Sequence, residues 1–83
     1  MNSIEAIRRE IERLFRTSPD VHINVTIKRP RVSLRDEPVL ITGVYPHIFK
    51  IEEWHDGYPR SRTLQYADVL TGQIEIRELG GNV

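Results

Sequence analysis

Cysteine is absent from the chain, which removes disulfides and thiolate metal sites as supports for so short a protein. That absence suits a reducing compartment, and the expected location is cytoplasmic. Long apolar runs are missing too, since nothing approaches the roughly 18–20 residues that a membrane-crossing helix needs. The N-terminal segment MNSIEAIRREIERLF interleaves charge with apolar residues, so it lacks the unbroken apolar stretch of a secretion signal. Net charge is lacking as well: 12 Lys and Arg stand against 12 Asp and Glu. A neutral chain has no global field to draw it onto nucleic acid, so only a local basic patch could do so.

The groups that catalysis needs are equally scarce. Ser3, Ser18, Ser33 and Ser61 lack the flanking pattern of a nucleophile elbow. The only paired glycines, Gly80 and Gly81, lie in the tail and make no phosphate loop. His22, His47 and His55 show neither an i,i+4 pair nor an HExxH pattern, which favours solvated surface histidines over metal ligands. No catalytic residue, metal or cofactor is predicted, and the expectation is that the protein is not an enzyme.

With 83 residues the chain suffices for one domain, 1–83, that buries only about 60–65% of its unfolded surface. Ile4, Ile7, Ile11, Leu14 and Phe15 recur at helical spacing, with Ala6 beside them. Glu5–Arg9 and Glu12–Arg16 stand at i,i+4 with the acid N-terminal, the favourable order. Asn2 with Glu5 forms a candidate capping box, and Ser3 is the alternative cap. The Pro19 that follows ends the helix, predicted over about 3–16.

Val21, Ile23, Val25 and Ile27 then alternate with His22, Asn24, Thr26 and Lys28, the period of a half-buried strand. The charged, proline-bounded stretch 29–38 reads as a loop. Residues 39–44 form a second strand with a bend at Gly43, 48–54 a third, and 62–66 a fourth. The Asp56-Gly57 pair marks the turn between the last two. Residues 67–72 look like a single helical or 3₁₀ turn, with Asp68 accepting from the amides of residues 69–71. Ile74 and Ile76 mark a fifth strand, and residues 80–83 should fray. The fold class is therefore mainly β, a small SH3-like five-stranded antiparallel barrel over about 21–79 with an N-terminal α-helix.

Two surface groups stand out. Lys28, Arg29, Arg31 and Arg35 form the one local cluster of positive charge, either a grip for phosphates or an acidic partner, or a solvated loop balanced by Asp36 and Glu37. Trp54, at a strand end beside a turn, combines with Tyr58 and Arg60 as a candidate protein-contact face. Tyr45, Phe49 and Tyr66 read as core and turn packing.

The segments Tyr45-Pro46-His47-Ile48-Phe49 and Tyr66-Ala67-Asp68-Val69-Leu70-Thr71 resemble those of the Veg family of small Gram-positive bacterial proteins. The N-terminal helix and the basic stretch also fit that family in position. The resemblance implies a compact SH3-like barrel without known catalysis, tied to regulation of biofilm formation and, through it, of transcription. It implies a protein partner, such as a transcription regulator. Nucleic-acid binding by the basic loop is the competing reading, and self-association through an unpaired edge strand is a third. The basic run reads Lys28-Arg29-Pro30-Arg31 here, without the glycine usual in the family.

Overall fold

The computed structural model describes residues 3–28, 31–55 and 57–79, apart from the side chains of Val32 and His55. Helix α1 spans Ile4–Thr17. Ser3 caps it, its Oγ accepting from the Ala6 amide at 3.1 Å, while Asn2 lies outside the described residues. At the other end the Ser18 amide donates to the Leu14 carbonyl, and Pro19 follows. The apolar stripe is narrower than its spacing suggests: Ile7, Ile11 and Leu14 are buried, whereas Ile4 and Phe15 are exposed. Charge on the outer faces is paired off within the helix, Arg9 with Glu5 at 2.9 Å, Arg13 with Glu10 at 3.3 Å, and Arg8 and Arg16 both with Glu12.

Five strands follow: β1 at Asp20–Lys28, β2 at Arg31–Val44, β3 at Ile48–His55, β4 at Tyr58–Gln65 and β5 at Ile74–Ile76. A short helix, α2 at Tyr66–Leu70, separates the last two. All pairings are antiparallel, in the order β4-β3-β2-β1-β5. Among the described residues no ladder joins β4 to β5, so this is an open five-stranded sheet with an N-terminal helix and not a closed barrel.

The stretch 31–38 is a correction to the expected loop. It is the first half of β2, paired with β1 from Lys28↔Arg31 to His22↔Pro38 and beyond. Two devices let so charged a segment stay in a ladder. Between Ile23 and Val25 the register shifts, leaving a bulge in which Asp36 takes φ 47° and its amide donates to Asn24 Oδ1 at 2.9 Å. Pairing with β3 begins only at Leu40↔Glu52, so Pro38 needs no amide on that edge. The β3–β4 hairpin obeys its turn chemistry: His55 pairs with Tyr58, and Gly57 has φ 82°.

The core collects the inward face of every strand, with Val21, Ile23, Val25, Val39, Ile41, Phe49, Ile51, Leu64, Ile74 and Ile76 sealed beneath Ile7, Ile11 and Leu14. Tyr66 completes it from α2. Its ring stacks on Phe49 at 5.4 Å between centroids, and its hydroxyl donates to the Tyr45 carbonyl at 2.7 Å. Burial pushes the Tyr66 phenol pKa up, partly countered by that bond. Tyr45 itself is exposed, so of the three aromatics expected in packing only two are core. In the turn after α2 the Thr71 and Gly72 amides donate to the Ala67 and Val69 carbonyls, not to the Asp68 carboxylate as its sequence position suggested.

Candidate functional site

Strand alternation sorts the surface. On β3, Phe49, Ile51 and Glu53 point inward, and Lys50, Glu52 and Trp54 point outward. Register then fixes what lies beside Trp54. It pairs with Pro59 on β4, while two residues back Glu52 pairs with Leu40 on β2 and Ser61 on β4. On β2, Pro38 shares the outward face with Leu40 and pairs with His22. Trp54 is 59% exposed and therefore stands on an outward surface with Pro59, Pro38 and the half-buried Leu40. Glu52, Ser61, Asp20 and His22 form its polar rim.

Tyr58 and Arg60 do not join that surface. They pair with His55 and Glu53, so they follow the inward parity of the hairpin and emerge at its tip on the other side. Strand parity thus splits the expected group Trp54, Tyr58 and Arg60, because residues one apart on a strand face opposite ways. Pro38, Leu40 and Pro59 were missed because the first stood in a segment read as loop and the pairing partners were unknown.

Behind Trp54 lies a buried charge. Glu53 is 0% exposed, and its Oε2 accepts from Arg62 Nε at 2.9 Å. On β1 the Glu78 carboxylate grips His22 twice, accepting from its amide and bonding ring Nδ1, each at 2.7 Å. Burial works against the Glu78 charge, but the ring and amide bonds outweigh it and hold its pKa below the usual carboxyl value. His22 is therefore engaged by a carboxylate, His47 is exposed, and the described residues hold no group of three or more acids and histidines suited to a metal.

Arg29 lies outside the described residues; Lys28 pairs directly with Arg31 at the end of the β1–β2 ribbon, and Arg35 follows at the bulge. Lys28, Arg31 and Arg35 are all exposed, and among the described residues none has an ion-pair partner. A hollow of about 390 Å³ between α1 and residues 44–46 is lined by Arg8 and Glu12, which pair with each other. No helix among the described residues is long and apolar enough to cross a membrane.

Fold and surfaces together define a small mainly-β protein with one N-terminal helix and candidate contact residues spread over an open sheet. Residues 2–77 match the family model of the biofilm formation stimulator Veg, and the chain belongs to that family. Membership ties it to biofilm formation. No curated protein and no solved structure matches the chain.

Proposed function

We propose that this protein acts in biofilm formation as a non-catalytic cytoplasmic regulatory module, through contact with a protein partner that controls transcription. One observation carries the reading: Trp54, 59% exposed, stands among Pro59, Pro38 and Leu40 inside a polar rim. An apolar centre with an aromatic anchor and a polar edge is the anatomy of a protein interface. Family membership supplies the process. The strand order, with a long β2 shared by neighbours on both edges and a helical turn before the last strand, supports reading the scaffold as an SH3-like sheet that stops short of closing into a barrel.

Trp54→Ala tests the reading. The variant should accumulate normally yet lose a specific partner from an affinity capture, and with it the stimulation of biofilm. An identical capture profile and undiminished biofilm would end the proposal.

A further inference from the structure

The 12 basic residues and 12 acidic residues cancel on paper but not in space. Arg8, Arg9, Arg13 and Arg16 are neutralised on α1, Arg62 by Glu53 and Arg77 by Asp36. Among the described residues the cations without a carboxylate partner are Lys28, Arg31, Arg35, Lys50 and Arg60, and Lys50 lies over the Tyr45 ring. The first three share one feature of the fold, the end of the β1–β2 ribbon. Beyond Thr26, whose amide still donates to the Gln73 carbonyl at 2.8 Å, and before the β3 pairings at Leu40, the two strands pair only with each other.

The ribbon has two unlike faces. Ile27 and Leu34 are packed against the core. Thr26, Lys28, Arg31, Ser33 and Arg35 alternate with them and are exposed. Those five carry three positive charges, two hydroxyls, no carboxylate and no apolar group. Asp36, next along β2, is occupied by Arg77 at 3.1 Å, and Glu75, across from Asn24 on β5, accepts from its amide at 3.3 Å.

We propose that this outer face of the β1–β2 ribbon binds the phosphates of duplex nucleic acid. Lys, Arg, Ser and Thr are the side chains that contact phosphate oxygens. Arg31 and Arg35 stand about 14 Å apart at roughly 3.4 Å per residue. A two-stranded ribbon also fits a major groove about 12 Å wide. An acidic protein surface is the poorer match, because protein interfaces carry an apolar core and this face has none. The site is distinct from the Trp54 surface and does not depend on it.

The test is fluorescence anisotropy with a labelled 24-bp DNA duplex of arbitrary sequence. Three variants accompany the wild type: K28A/R31A/R35A, the charge-matched R9A/R13A/K50A, and W54A. Three phosphate contacts imply a logarithmic salt slope near −2.7, so wild-type affinity should fall about 40-fold between 50 and 200 mM salt. The ribbon variant should lose binding and slope, while the charge-matched variant and W54A keep both. On the wild type, amide shifts in NMR spectra should move at residues 26–28 and 31–35 as duplex is added, a readout that needs no variant to fold. Absence of binding at 50 mM salt, equal loss in the ribbon and charge-matched variants, or shifts centred elsewhere would each overturn the proposal. Competition by poly-glutamate as effective, charge for charge, as by unlabelled duplex would overturn it in favour of an acidic protein surface.

Discussion

Arg62→Ala separates a guanidinium from a carboxylate that water cannot reach. Glu53 is 0% exposed, whereas Arg62 is 31% exposed, so the two members of the pair depend on each other unequally. Removing the cation from a buried pair costs about 3–5 kcal/mol, because the remaining charge is stranded. Glu53 makes a further interaction besides that with Arg62, and the partly exposed space that Arg62 leaves admits water, which places the loss at about 3 kcal/mol. A domain of this length has about 4–12 kcal/mol of stability, at roughly 0.05–0.15 kcal/mol per residue, so the loss is a large fraction. Glu53→Gln keeps the shape and an acceptor oxygen while removing the charge, at a cost of about 1 kcal/mol. In the Glu53→Gln background, Arg62→Ala strands only a neutral amide oxygen and should cost about 1–2 kcal/mol. Urea unfolding of the four proteins, followed by circular dichroism and by the single tryptophan, measures the cycle. Equal costs of Arg62→Ala in both backgrounds would refute the reasoning, since the loss would then come from packing and not from a buried charge.

Glu78 predicts a dependence on pH. Its folded pKa is depressed, so its contribution is present above the ordinary carboxyl range and disappears as pH falls through the folded value. The stability gap between wild type and Glu78→Gln should therefore close on acidification, as seen in urea midpoints from pH 7 down to 3. At Asp36, which holds φ 47°, glycine should be neutral or stabilising by up to about 1 kcal/mol, while valine, whose branched Cβ resists that conformation, should destabilise by more than 1 kcal/mol in the same assay. A methyl on Gly43 would lie 2.7 Å from Tyr45 Cε2, and because Tyr45 is an exposed ring it can swing aside. Gly43→Ala should thus cost no more than about 1–2 kcal/mol, with the NMR signals of the Tyr45 ring and of Lys50 shifting, since Lys50 Nζ lies 5.8 Å from that ring.

Much of the fold was legible because its elements obey their periods. The bounds of α1, the alternation of β1, the turn at Gly57 and the Ile74/Ile76 strand each carry a local signature, and each stands within a residue or two of its expected place. The first half of β2 was not legible, because prolines and charges argue against a strand unless a bulge and an unpaired edge are available. Both are supplied by distant residues, Asn24 and the late start of β3 pairing. The same limit applied to the surfaces. The place of Trp54 at a strand end beside a turn singles it out, but only register brings Pro38, Leu40 and Pro59 to its side. The basic cluster was visible as composition; that its charges stay unneutralised depends on which acids the fold had already engaged.

The place of β1 between β2 and β5 bears on how the chain comes together in time. One edge of β1 is satisfied by its neighbour in sequence, but Ile23, Asn24 and Val25 find their other partners only at Ile76, Glu75 and Ile74. A chain emerging from the ribosome thus holds a hydrophobic strand with one bare edge until residues 74–76 have been made. Pairing across so much intervening chain is slow compared with hairpin closure. The β1–β2 and β3–β4 hairpins should form early and the docking of β5 last. The interval between those events is when the protein is most exposed to pairing with the wrong strand.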